Sequence, residues 1–150
     1  MDKIILIAGP TGVGKTAASV SVAKKIGGEI ISADSMQIYR KMDIGTAKIM
    51  PDEMKGIPHH LIDIVEPYDE FSVKDFDDMS KTAIKEISGR SNIPVIAGGT
   101  GLYINAIVYD MDYNKVTTDS EFRNELWKYY EEKGTEELYN ILLKHDPETK

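Results

Sequence analysis

The sequence predicts an α/β protein in which a parallel β-sheet is flanked by helices, and three observations carry that prediction. An apolar run at residues 4–8 (IILIA) passes directly into GPTGVGKT, the spacing G-x-x-x-x-G-K-[ST] of a phosphate-binding loop, and then into a stretch of helical periodicity. Further short apolar runs at residues 29–32 and 93–97 follow at the spacing of strand-helix-strand units. Both end in glycine or small polar turns, where open parallel sheets form their ligand crevices.

The first run reads as a buried parallel strand. In the loop, Gly9 and Gly14 supply backbone freedom, so the N–H groups of Gly9, Pro10, Thr11, Gly12, Val13, Gly14, Lys15 and Thr16, proline excepted, are available to enclose a phosphate. Lys15 adds a point charge for an outer phosphate, the Thr16 hydroxyl is placed to ligate an accompanying Mg²⁺, and the helix opening at Lys15 contributes its positive end. Ala18, Val22 and Ile26 recur every four residues with Ala23 beside them, and Gly27-Gly28 stops this helix. The strand at 29–32 then ends in Ala33-Asp34-Ser35-Met36-Gln37, expected beside the phosphate loop.

Residues 40–60 are irregular and punctuated by Gly45, Pro51, Gly56 and Pro58, the pattern of a long functional loop or lid. Residues 60–65 form a third strand candidate. Ser72 reads as the N-cap of a helix with Asp75 three residues on, and Phe76, Met79, Ala83, Ile84 and Ile87 as its buried stripe. The strand at 93–97 feeds a second glycine turn, Gly98-Gly99-Thr100-Gly101. From Thr118 the pattern becomes a helical hairpin. Thr118 with Glu121 makes a capping box, and Phe122, Leu126, Trp127 and Tyr130 a stripe that is core before it is a base-stacking platform. Gly134 is a stop and Thr135 a second cap, with Leu138, Ile141, Leu142 and His145 along the apolar side.

The 150 residues carry a net charge of −7, 41% hydrophobic residues and no cysteine. No window approaches the roughly 18 apolar residues of a membrane span, and the start of the chain lacks the regions of a signal peptide. A cytoplasmic monomer is expected, without disulfides or thiolate metal sites. Net charge is +2 over residues 1–60, −5 over 61–118 and −4 over 119–150, so the phosphate-handling part is the least acidic and no basic stripe is present to hold a polynucleotide. His59-His60 invites a metal reading, but neighbouring strand residues face opposite ways and no carboxylate or thiolate set accompanies them.

Four blocks, GPTGVGKT, ISADSMQIYRKMDIGTAK, PHHLIDIVEP with FSVKDF, and PVIAGGTGLYINAI, in this order and at these spacings, closely resemble the tRNA dimethylallyltransferase family. The match is dense over residues 4–107. It implies a P-loop NTPase-like core over residues 1–115, incomplete without C-terminal elements, and over 116–150 the beginning of an inserted helical domain that grips the tRNA anticodon stem-loop. Family members run to roughly twice this length, so the chain is similar to their N-terminal part.

The resemblance implies transfer of a dimethylallyl group from dimethylallyl diphosphate to the exocyclic N6 amine of the adenosine 3′ to the anticodon, with diphosphate released. The nucleotide-binding (ATP-binding) type of loop would then hold a leaving group, and ATP is not consumed. Lys15, Thr16 with Mg²⁺, and the loop amides would stabilise charge growing on diphosphate. Asp34 would accept the proton of the adenine amine, its plainer readings being a turn cap or an Mg²⁺ ligand. Ser35, Met36 and Gln37 would line the pocket of a flipped adenine, with Tyr39 and Arg40 at its border. Thr100 and Arg123 match tRNA-contacting positions, their plainer readings being a helix N-cap and a surface charge. Two rivals share the opening motif. A small-molecule kinase needs an arginine-bearing lid, and here Arg40 and Arg90 are the only arginines before Arg123. An isopentenyltransferase acting on free adenine nucleotide has less reason to carry a helical insertion.

Overall fold

The computed structural model describes residues 3–109, 111 and 119–148, and the chain divides into two compact units, Met1–Met111 and Asp112–Lys150. The first unit runs β1 (Ile5–Ala8), α1 (Lys15–Ile26), β2 (Gly28–Ala33), β3 (His59–His60), α2 (Val73–Gly89), β4 (Ile93–Gly98) and α3 (Gly101–Tyr109). Its four strands form one parallel sheet in the order β1-β4-β2-β3. No helix among the described residues is long and apolar enough to cross a membrane.

Side chains alternate across a strand, and the two faces of this sheet bury different partners. Ile30 and Val95 pack with Val20 and Ala23 of α1 and with Ile49. Ile31 and Ile96 point the other way, to Phe76, Ala83, Ile84 and Ile87 of α2 and Tyr103 of α3, where the Phe76 and Tyr103 rings stack with centroids 4.0 Å apart.

β4 sits between β1 and β2, and the turn after β2 still lies beside the phosphate loop, as expected, across the end of β4. Gly98 permits the close approach of β4 to β2: a Cβ there would fall 2.1 Å from the Ala33 carbonyl oxygen. β1 is consequently an edge strand among the described residues and only half-buried, not the buried strand its apolar run suggests, with Leu6 40% exposed.

The third strand is two residues, not six. Leu61 (φ 60°) and Asp63 (φ 55°) enter the left-handed region and end the extended run, and pairing resumes only as a single bridge between Tyr39 and Val65. In α1 Ala23 is buried as expected, with Ser19 and Val20, while Ala18 is exposed and Val22 and Ile26 are half-buried. Gly27 in the left-handed region caps it as expected, its N–H reaching the Ala23 carbonyl.

The capping box of α2 forms: the Ser72 side chain accepts from Asp75 N–H while the Asp75 carboxylate accepts from Ser72 N–H. Met79 is exposed, and Asp77 and Ser80 are buried in its stead.

In the second unit α4 (Ser120–His145) is capped by Asp119, whose side chain accepts from Phe122 N–H. Thr118, the expected cap, lies outside the described residues. Gly134 (φ 81°, ψ 179°) breaks the helical geometry where the hairpin stop is predicted. No α4 residue is buried; Phe122, Trp127 and Tyr130 are exposed and not core, and Trp127 and Tyr130 meet edge to face.

Candidate functional site

The loop between β1 and α1 curls because Gly12 (φ 84°) and Gly14 (φ 85°) take backbone angles that side chains resist. Gly9, named with Gly14 from the sequence, is not one of them. Gly14 is also the N-cap of α1, and its carbonyl accepts the first helical bond from Ala18. The Lys15 ammonium folds back to donate to the Pro10 carbonyl (2.6 Å), holding the cation over the loop with further donors to spare.

Beside this loop lies a cavity of about 390 Å³. One side is Thr11, Gly12, Gly14, Lys15 and Thr16, with Ser19 one turn along α1; its floor is Ile30 and Ser32 of β2 and Ala97 and Gly98 of β4. Asp34 and Gln37, from the turn after β2, also line it. Thr11, Gly12, Gly14, Lys15 and Thr16 of the predicted phosphate set thus share one space with the predicted adenine-facing carboxylate, whereas Gly9, Pro10 and Val13 do not line it.

Asp34 is held by its own turn: one carboxylate oxygen accepts from Met36 N–H (2.9 Å). The turn cap read as an alternative is present, and the same carboxyl group still borders the cavity, so the two roles coexist. Thr100 ties the two carboxyl-end turns together. Its hydroxyl accepts from Ser35 N–H (2.9 Å) and donates to the Ser35 hydroxyl (3.3 Å), while its own N–H donates to the Ala33 carbonyl. Its carbonyl also accepts the first α3 bond from Ile104.

The remaining wall is built from residues 47–62, which sequence reasoning recognised only as a loop or lid. Ala47, Lys48, Ile49, Glu53, His59 and Ile62 face the cavity from there. Lys48 is the unforeseen member. Its side chain is 2% exposed, and its ammonium donates to the Tyr39 carbonyl (2.7 Å), Asp43 (2.9 Å) and Asp63 (2.6 Å). Burial disfavours this cation, but the two carboxylates more than offset that and raise its pKa. A lysine between apolar Ala47 and Ile49 with aspartates on either side was the available signal. Gln37 donates to the Ala47 carbonyl (3.3 Å), joining the turn after β2 to this wall.

Other predicted residues lie elsewhere. Tyr39 and Arg40 do not line the cavity; Arg40 donates to the Asp63 carbonyl and pairs with Glu66. Ser35 and Met36 do not line the cavity, and Met36 is exposed. Arg123 belongs to α4, in the second unit. The histidines divide as strand geometry requires: His59 turns to the cavity and donates through Nδ1 to the Ile57 carbonyl, with burial pushing its pKa down, whereas His60 donates to Glu29. Among the described residues no cluster of three His, Cys, Asp or Glu side chains is arranged to hold a metal. Thr16 and Asp34 on one cavity are nonetheless the donor set that Mg²⁺ uses when substrate phosphates supply its other oxygens.

At the opposite, amino end of β2, Glu29 is buried and accepts from Arg90 through two nitrogens, from Asn92 and from His60. Arg90 foremost, with Asn92 and His60, outweighs burial and lowers the Glu29 pKa to about 2.

Comparison with known proteins adds five matches. The family model described as IPP transferase matches residues 37–150. A tRNA dimethylallyltransferase of Geobacillus thermodenitrificans is 51% identical over 99% of the chain, and one of Caldanaerobacter subterraneus 54% identical over 97%. The crystal structure of a full-length tRNA isopentenylpyrophosphate transferase from Bacillus halodurans superposes with TM-score 0.76 at 48% identity, over 99% of this chain and 49% of that one. A eukaryotic dimethylallyltransferase captured acting on tRNA gives TM-score 0.80 at 34% identity, over 98% of this chain and 36% of the other. The chain spans 47% and 46% of the length of the two curated relatives.

Proposed function

The chain belongs to the IPP transferase family, and from that premise we propose that it carries the diphosphate-binding and amine-activating half of a tRNA dimethylallyltransferase. Its substrates would be dimethylallyl diphosphate and the adenosine 3′ to the anticodon of tRNA. The observation that carries the reading is the shared cavity, with the phosphate loop on one side and Asp34 on another.

In this reading the diphosphate lies in the loop of residues 9–16, against the amides from Thr11 onward. As the allylic C–O bond breaks, negative charge grows on the leaving oxygen. Lys15, with protons beyond the one given to Pro10, and the N-terminal end of α1 meet that charge where it develops, which lowers the barrier more than it tightens binding. Mg²⁺, when bound at Thr16, would add Lewis-acid stabilisation of the same diphosphate.

The adenine N6 amine is a weak nucleophile because its lone pair is shared with the ring. Asp34, fixed by the Met36 N–H, accepts a hydrogen bond from that amine and takes its proton as the C–N bond forms. Gln37 and the Ser35–Thr100 pair shape the turn that receives the base. The absence of cysteine supports a cytoplasmic setting.

The test uses this chain extended to its relatives' length. Incubation with radiolabelled dimethylallyl diphosphate and either tRNA or AMP is expected to label tRNA; label in AMP alone would make the free-nucleotide reaction the correct reading.

A further inference from the structure

Two lysines border the cavity, and their surroundings assign them different work. We propose that Lys48 is a positioning residue: it fastens the cavity wall opposite the phosphate loop, and with it Gln37, and takes no part in holding phosphate. This rests on the reading of the cavity given under Proposed function.

An ammonium group has three protons. Those of Lys48 are matched by three oxygens at 2.6–2.9 Å, on Tyr39, Asp43 and Asp63, and its side chain is 2% exposed. Nothing remains to donate to a phosphate. Lys15, with one such bond, is in the opposite condition.

The three acceptors lie at separate places on an irregular segment. Tyr39 forms the isolated bridge to Val65, Asp43 lies in the loop that follows, and Asp63 comes after β3. Backbone bonds fix residues 37–40 against 63–65: Asp63 N–H to Gln37, Ile64 N–H to Ile38, and Arg40 N–H to Val65. The stretch 43–49 is joined to that pair by the Lys48 ammonium and the Gln37 amide. Lys41, Ala47, Lys55, Leu61 and Asp63 all adopt positive φ without being glycine, conformations that persist only when surrounding contacts hold them.

Removing the cation would leave the Tyr39 carbonyl and the half-exposed carboxylates of Asp43 and Asp63 without the group that joins them, and the wall would loosen. Ala47, adjacent to Lys48, would carry its carbonyl away from Gln37. Lys48 therefore reaches the reaction through Gln37 without touching substrate.

The test compares Lys48→Met with Lys15→Ala and Gln37→Ala. In this chain, calorimetry with Mg²⁺ and inorganic diphosphate is expected to give Lys48→Met an affinity within about threefold of the parent, while Lys15→Ala loses at least about tenfold. A Lys48→Met loss as large as that of Lys15→Ala would make Lys48 a phosphate ligand and overturn the proposal. In the chain extended to its relatives' length, Lys48→Met should lower kcat/KM for tRNA by about tenfold or more while leaving KM for dimethylallyl diphosphate nearly unchanged, and adding Gln37→Ala should cost little further, as coupled residues do. Fully additive losses would separate Lys48 from Gln37 and defeat it. If the unaltered protein transfers no dimethylallyl group, the functional reading fails independently; amide exchange at Arg40 and Ile64 then decides, faster exchange in Lys48→Met supporting the fastening role and unchanged exchange refuting it. Asp63→Asn provides the same comparisons should Lys48→Met not fold.

Discussion

In the proposed reaction Lys15 and Thr16 meet the charge that develops at the leaving oxygen. Replacing either with alanine is expected to reduce dimethylallyl transfer by the extended protein by about 10² to 10³, the usual consequence of losing one electrostatic contact to a developing anion. Steady-state kinetics with saturating tRNA would check this, and an unchanged kcat in both variants would remove the leaving-group assignment. Asp34→Asn keeps the shape and an oxygen for Met36 N–H, but gives up the proton acceptor. Turnover should fall by about 10² to 10⁴ with tRNA affinity nearly intact. A strong change in Mg²⁺ requirement with turnover preserved would instead mark Asp34 as a metal ligand.

Elements place these residues, and two of the placements are separately testable. Glu29 stitches β2 to the end of α2, to the start of β4 and to β3 at the end of the sheet away from the cavity. Its folded pKa of about 2 is below the ordinary value of 4.5, so the unfolded chain binds the proton more readily. The stabilisation is fully present above pH 4.5 and is lost as pH falls toward 2. Thermal melts of the chain and of Glu29→Gln should therefore differ most near neutral pH and converge in acid; a constant gap would contradict the assignment. Gly98→Ala inserts a Cβ against the Ala33 carbonyl and should cost about 1 to 3 kcal/mol, read as a lowered denaturation midpoint. The phosphate loop and the α2 cap were legible in the chain because their signals are local: spacing, one glycine after a helix, one serine three residues before an aspartate. The place of β4 was not, since strand order is written in contacts between distant residues. Nor was the Lys48 cluster, whose three acceptors come together only after Leu61 and Asp63 have turned the chain.

For the whole molecule, charge and length point the same way. The net charge is −7, with no more than +2 over residues 1–60, and the chain spans under half of its curated relatives. Phosphate contacts dominate nucleic-acid affinity. Residues 1–150 alone are therefore expected to bind diphosphate with Mg²⁺ by calorimetry, while tRNA at physiological salt is held no more tightly than the nonspecific level of about 10⁻⁴ to 10⁻⁶ M. Tight binding specific for the anticodon loop by this chain would overturn that expectation.

The central position of β4 also sets a timetable. Ile5 pairs with Val95 and Ile30 pairs with the same Val95, so β1 and β2 share no ladder and each waits for a strand made much later. During synthesis the phosphate loop precedes β4 and has no sheet behind it until Gly98 has appeared, and among the described residues only the two-residue β2–β3 pairing and the Tyr39–Val65 bridge are available in the interim. Closure over such long sequence distances is slow, and the unpaired apolar edges of β1 and β2 are exposed throughout. A nascent chain halted between β3 and β4 is thus the species most at risk of aggregation and the one a chaperone would meet.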